Sequence, residues 1–264
     1  MSLLPRKDLS EKELDKILEE LSRPVPSNPE GPGVFGITKT NDSYHIAGIQ
    51  YRNEVCAFDF AQSPLESKTQ DAHAADAKNA GSGFRAANAP MVYAIARTLY
   101  KNKEGATAAL VEQARETLTN IIGPNTSWIN TLSRAIYNPQ GIDELVHDYG
   151  LPTQYSCKQP FVGPQGFINR PETQATEFVQ AMLDTNDRPE EVSKIFEWIT
   201  GKLAYAWRVT QKPGKQDVRV VALGINGNND RFDLNASDNI DINRPALGVR
   251  PSAPKFSPPN GGSI

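Results

Sequence analysis

An α+β fold is what the sequence predicts: a helix-rich N-terminal and middle part, then a C-terminal antiparallel β unit. Three observations lead there. Apolar residues recur at helical spacing in several segments between positions 10 and 202. From Leu203 onward the apolar period becomes two, the period of strands whose successive side chains face opposite ways. The 264 residues are 38% hydrophobic and 22% charged, which is enough apolar material for a packed core and too little charge bias for disorder.

Taken in order, "DLSEKELDKILEELSRP" opens with Ser10 three residues before Glu13, a capping-box spacing. It places Leu14, Ile17, Leu18 and Leu21 on one face before Pro24 stops the helix. "RPVPSNPEGPG" follows as a linker, so residues 1–33 read as a helix and its Pro/Gly connection. "GVFGIT", "SYHIAGIQY" and "EVCAFDF" read as strands, the last two joined in a hairpin at Arg52-Asn53. "QSPLESKTQDAHAADAKNAGSGF" has no clear period and reads as a loop with a weak helix.

The spacing then predicts three helices: "APMVYAIARTLYKN", "GATAALVEQARETLTNII" and "NTSWINTLSRAIY", the third capped by Asn125, Thr126 or Ser127. "YGLPTQYSCKQPFVGPQGFI" reads as an irregular connection rich in Gly and Pro. Helices are expected again in "ETQATEFVQAMLDT" and in "PEEVSKIFEWITGK", where Pro189 sits at the first position, whose N–H has no helical partner anyway. "LAYAWRVT", "DVRVVALGI", "RFDLNAS", "NIDIN" and "ALGVR" are the expected strands. Residues 34–250 thus form one mixed domain, and the tail 251–264 is too rich in Pro, Gly and Ser to pack.

A net charge of −3 with scattered Lys and Arg supplies no basic field for phosphates, so nucleic acid is not an expected partner. No apolar run of about 18 residues and no signal-peptide core is present, so no membrane partner is expected and a cytoplasmic location is the default. Cys56 and Cys157 match no metal pattern and read as core thiols; no metal and no cofactor are expected. His45 with Cys56 would be a thiol–imidazole pair, but neighbouring strands of a hairpin bring such residues close without any chemistry. His147, with Glu144 and Asp148 in "IDELVHDYG", suits a helix C-terminus through the helix dipole. "GINGN" follows a strand but precedes another, so no helix N-terminus receives an anion there. Trp128, Trp198 and Trp207 lie in apolar patterns and read as core. No catalytic residue and no enzyme activity is expected.

The stretch "RFDLNASDNIDINRPALGVR" carries the function. Phe232, Leu234, Ala236, Ile240 and Ile242 alternate with Asp233, Asn235, Ser237, Asp241 and Asn243, so the first set should be buried and the second exposed. Asn and Asp are poor strand formers, and "NGNND" lies just upstream, so these positions look unselected for stability.

From Val218 to Arg250 the chain resembles the C-terminal variable region of diversity-generating-retroelement variable proteins. The resemblance rests on "RVVALG", the Asn-rich segment and the closing "ALGVR". It implies a C-type-lectin-like C-terminal fold, with hypervariable positions at Asn226, Asn228, Asn229, Asp230, Asp233, Asn235, Ser237, Asp238, Asp241 and Asn243. Adenine-directed mutagenesis of Asn codons would account for the Asn, Asp and Ser gathered there. The expected function is binding of an unidentified protein or other macromolecular ligand. The alternatives are a structural or assembly protein of viral or cellular origin and, below that, an enzyme using His45 and Cys56.

Overall fold

A computed structural model of the chain describes residues 35–123, 128–226 and 229–252. The expected N-terminal helix and linker, the caps Asn125, Thr126 and Ser127, Asn228 and all but the first two residues of the tail lie outside the described residues.

Fourteen strands are described: β1 (Gly36–Lys39), β2 (Ser43–Tyr51), β3 (Glu54–Ala61), β4 (Leu65–Lys68), β5 (Arg85–Ala86), β6 (Ile129–Tyr137), β7 (Asp143–His147), β8 (Tyr155–Gln159), β9 (Gly166–Phe167), β10 (Ala204–Trp207), β11 (Asp217–Asn226), β12 (Arg231–Asp238), β13 (Arg244–Ala246) and β14 (Gly248–Ser252). Five helices accompany them: α1 (Gln70–Asn79), α2 (Ala89–Lys101), α3 (Ala108–Ile122), α4 (Thr176–Leu183) and α5 (Pro189–Thr200). One sheet has the order β1-β2-β3-β14-β5, a second β8-β7-β6-β11-β12-β10-β9, and β13 pairs with β4.

Helix α2 organises the core. Asn88 caps it, its Oδ1 accepting the Met91 N–H at 2.7 Å, and Pro90 occupies the first turn, where no N–H is missed. Val92, Ile95 and Leu99 are fully buried, because α2 touches β2 of the first sheet, β6 and β11 of the second, and α3, α4 and α5. A helix apolar on most sides belongs in such a place. α5 starts at Pro189 and ends at Gly201 in left-handed backbone (φ 70°), and it lays Phe196 on Phe232 of β12 with ring centroids 4.5 Å apart. The Arg52-Asn53 hairpin forms as expected, both residues at positive φ (50° and 62°), as a two-residue turn matched to strand twist demands.

The helix-rich expectation is wrong, since strands hold more of the described chain than helices. "NTSWINTLSRAIY" yields β6, "IDELVHDYG" yields β7 with His147 at a strand end, and the irregular connection contains β8. β6 misleads because it lies between β7 and β11 with both faces covered, so the strand alternation is absent. Its polar residues are buried by bonding: Thr131 Oγ1 donates to the Val221 carbonyl at 2.6 Å. β11 is bulged between Val220 and Ala222, and the buried Gln70 of α1 donates to the Thr131 and Ser133 carbonyls at 2.8 and 2.7 Å in that stretch. Ile129, Leu132 and Ile136 mimic helical spacing only by coincidence.

The C-terminal β unit is likewise not a unit. β12 is an interior strand, antiparallel to β11 and parallel to β10, while β14 joins the other sheet between β3 and β5. The C-type-lectin-like arrangement falls with that expectation. "NIDIN" is a turn rather than a strand, and Ile242 is 37% exposed where burial was expected, whereas Phe232, Leu234, Ala236 and Leu247 are fully buried. No helix among the described residues is long and apolar enough to cross a membrane.

Candidate binding cleft

β8 is the edge strand of the seven-stranded sheet, and its half-buried side faces a cleft of about 520 Å³. The β2–β3 turn supplies Arg52 and Asn53, β7 ends there with His147, and the C-terminal end of α4 supplies Gln180, Ala181 and Asp184. Asp184 closes α4 in left-handed backbone (φ 47°), its N–H returning to the Ala181 carbonyl at 3.4 Å. That conformation usually takes Gly; an Asp tolerates it best when its carboxylate is used. Here the carboxylate accepts the Tyr155 hydroxyl at 2.9 Å.

Tyr155 is the centre of the cleft. The Arg52 guanidinium lies 3.9 Å from its ring centroid, and the His147 ring lies 5.1 Å away. Burial first, then the neighbouring Tyr51 and the Asp184 carboxylate, push its phenol far above the ordinary tyrosine range. Behind it, burial and the Asp148 charge push Tyr51 up to about 12. Asn88 connects these groups to the core: its Nδ2 donates to the Tyr51 hydroxyl at 2.8 Å and to Asp148 Oδ1 at 2.7 Å. Asp148 is 2% exposed and also accepts the Thr153 hydroxyl at 2.8 Å.

His147 and Ser133 have the bond of a base and a nucleophile without the freedom. The Ala181 carbonyl can only accept, so Nε2 carries the proton and donates to it at 3.0 Å, leaving Nδ1 to accept the Ser133 hydroxyl at 2.8 Å. Ser133 Oγ also accepts the Ala89 N–H at 3.0 Å, and both residues are inaccessible. Burial pushes His147 down and the Cys157 thiol, on the cleft wall, up. Neither change activates a nucleophile at neutral pH.

His45 and Cys56 are not brought together as a pair. The register sets His45 opposite Asp59, Nδ1 to Oδ1 at 2.7 Å, and Cys56 opposite Ile49 with its thiol against the core. Arg250 holds the other oxygen of Asp59 at 2.7 Å. Among the described residues no group of three His, Cys, Asp or Glu could hold a metal ion.

The ten expected variable positions do not form one face. Asp233 is fully buried with Arg231 Nε at 2.7 Å, and Asn235 is 2% exposed, its Oδ1 accepting the Ser237 N–H at 2.8 Å. Asp238 is buried against Arg244 Nε at 2.7 Å, and Ser237 is half-buried. These correct the expected exposure. Tyr205 and Trp207 of β10 pair with Asp233 and Asn235 on one side. On the other, Trp128 crowds Gly224, where a Cβ would meet its Cδ1 at 2.6 Å. All three Trp are half-buried, Trp198 packed against the main core and Trp128 and Trp207 outside it. Asn229 and Asp230 are exposed beside β12, Asp230 pairing with Lys202, and Asp241 and Asn243 are exposed in the separate 239–243 turn. Asn226 ends β11 opposite Arg231.

Sequence reasoning missed Tyr51, Tyr155 and Asp184. One signal was available: "AANAP" is an Asn cap followed by a Pro in the first turn, which would have marked Asn88. Compared with models of known families, with curated proteins and with solved structures, the chain matches none.

Proposed function

We propose that the chain is a binding protein that takes a small polar molecule in the cleft between β8, the β2–β3 turn and the end of α4, without converting it. One observation carries this reading: Arg52 and Asp184 line the same cleft with opposite charges, both exposed, yet are not paired with each other. Tyr155 stands between them, stacked by one and bonded to the other. A ligand carrying both an anionic acceptor and a cationic or hydroxyl donor satisfies both ends, and the volume suits a small molecule. The polar lining favours such a ligand over an apolar one. Binding is favoured over catalysis because no nucleophile lining the cleft is activated: burial raises the Cys157 thiol, and the ring nitrogens of His147 are both bonded inside.

Diversification of the C-terminal strands by a retroelement is less well supported by the geometry. Its exposed positions with described side chains lie in two separate turns, and its strand positions are bonded inside the sheet. The test is an amide NMR titration of the whole chain with a panel of free amino acids and dipeptides at millimolar concentration. Saturable shifts confined to Arg52, Tyr155–Gln159 and Gln180–Asn186, abolished by Arg52→Ala and by Asp184→Ala, are expected. No saturable shift, or shifts centred elsewhere, would overturn the reading.

A further inference from the structure

The cleft beside β8 opens along a free sheet edge. Among the described residues the two larger sheets end in β1 and β5 and in β8 and β9. β5 and β9 are two residues long and β1 four, and short edge strands are one way in which proteins avoid pairing with other chains. β8 is the longest of these edges at five residues, and it pairs on one side only, with β7. Successive main-chain groups of a strand point to opposite sides, so half of the N–H and C=O groups from Tyr155 to Gln159 are directed away from β7. Among the described residues no backbone or side-chain group beyond β7 bonds to the main chain of β8.

The cleft reaches this edge itself. Tyr155, Ser156 and Cys157 all line it, although consecutive side chains of a strand lie on opposite faces. Opposite them stand Gln180, Ala181 and Asp184 of α4. At the far end Gln159 Nε2 donates to the Glu177 carbonyl at 3.1 Å and bridges strand and helix. Tyr155 and Gln159 are four steps apart, about 13 Å at the rise of a strand. At the Tyr155 end Arg52 is exposed, lies on the Tyr155 ring and makes no ion pair among the described residues. A slot between an edge strand and a helix, with a cation at one end, has what recognition by strand addition needs. Main-chain bonds hold the guest, and the charge fixes its end.

We infer that the cleft takes the C-terminal end of a peptide in extended form, added to β8 as a further strand with its carboxylate on Arg52. The inference rests on the cleft reading and names the ligand of that same site. Antiparallel pairs are the more stable per residue. β8 runs from Tyr155 to Gln159, so an antiparallel guest brings its last residue to Tyr155, where Arg52 stands. A guanidinium matches a carboxylate with two parallel N–H groups. The polar lining suits a main chain, whose amides and carbonyls must all find partners or water.

The experiment is an amide NMR titration of the full chain with alanine, N-acetyl-alanine and N-acetyl-tetra-alanine. The last is also tested amidated at its C-terminus and singly N-methylated at residue 2 or at residue 3. N-acetyl-tetra-alanine should bind at least tenfold more tightly than N-acetyl-alanine. One of the two methyl groups should remove that gain and the other should be tolerated, because neighbouring N–H groups of a strand face opposite ways. In the saturated complex, the amides of 155–159 that exchange fast with solvent in the free chain should slow at least tenfold. Amidation should weaken binding at least tenfold, and Arg52→Asn, which keeps a residue tolerant of the left-handed turn, should make the free and amidated peptides equal. No gain with length, equal effects of the two methyl groups, no slowing at β8, or indifference to amidation would each overturn the inference. If alanine shifts Arg52 and Gln180–Asn186 but the peptide binds no more tightly than N-acetyl-alanine, strand addition fails and the cleft reading stands. If none of the probes binds, the cleft reading fails and strand addition with it.

Discussion

β12 and β8 belong to the same sheet and both mix polar with apolar residues, yet their polar side chains meet opposite fates. In β12, Asp233 and Asn235 alternate with Phe232, Leu234 and Ala236, and both sets are buried. In β8, Tyr155, Cys157 and Gln159 are half-buried toward the cleft while Ser156 and Lys158 are exposed. The difference is position: β12 lies between β11 and β10, with Trp128, Tyr205 and Trp207 around its polar side, whereas β8 is an edge. Alternation states that the two faces of a strand differ. It does not state which face meets water.

The largest effect that could break this comparison is at Asp233. Asp233→Ala leaves the Arg231 guanidinium buried beside Tyr205 without its carboxylate, and removing one partner of a buried pair costs about 3–5 kcal/mol. Denaturant unfolding should show that loss, and a change under about 1 kcal/mol, the scale of exposed ion pairs, would mean that Asp233 is solvated. Asn235→Ala should come next. It strips the acceptor of the Ser237 N–H and hydroxyl, a loss of about 1–3 kcal/mol for buried bonds.

The floor of the cleft should show itself in pH dependence. Burial lowers His147 and, on α1, His73 below the ordinary histidine value. The unfolded chain then binds more protons than the folded one once the pH drops below about 6.5, so stability declines downward from there. The decline reaches about 1.4 kcal/mol per pH unit for each histidine, and it ends where the lowered folded value is passed. Unfolding free energies from pH 8 to pH 5 should be flat at first and then fall. Replacing His147 with Gln should reduce the slope, and an unchanged slope would show that His147 is not held neutral. The smallest effect belongs to the edge: Ser156→Ala and Lys158→Ala should each change stability by less than about 0.5 kcal/mol. A loss above about 2 kcal/mol at either would show that β8 is covered.

Much of the local structure could be read from residue types. The Arg52-Asn53 turn, the apolar faces of α2, α3 and α5, the Pro189 start of α5, and the inward set Phe232, Leu234 and Ala236 depend on contacts within a few residues of chain. β6 could not be read in this way, because its fate depended on pairing with β7 and β11, which lie far away in sequence. The cleft was still less legible. Tyr51, Tyr155 and Asp184 come from three separate segments, and each is unremarkable where it stands in the chain.

The sequence by itself determined the two-residue turn at Arg52-Asn53, the apolar faces of α2, α3 and α5, and the division of β12 into two chemically different sides. All of these follow from backbone sterics and side-chain period over short distances. Only the tertiary structure decided that the Asp and Asn of β12 would be enclosed and bonded to Arg231 and Ser237, while Arg52, Tyr155 and Asp184 would line a cleft. Burial is set by which other strands, rings and turns are laid against a surface. In this chain those coverings, Trp128 and β10 over β12, and the β2–β3 turn and the end of α4 beside β8, arrive from other parts of the sequence.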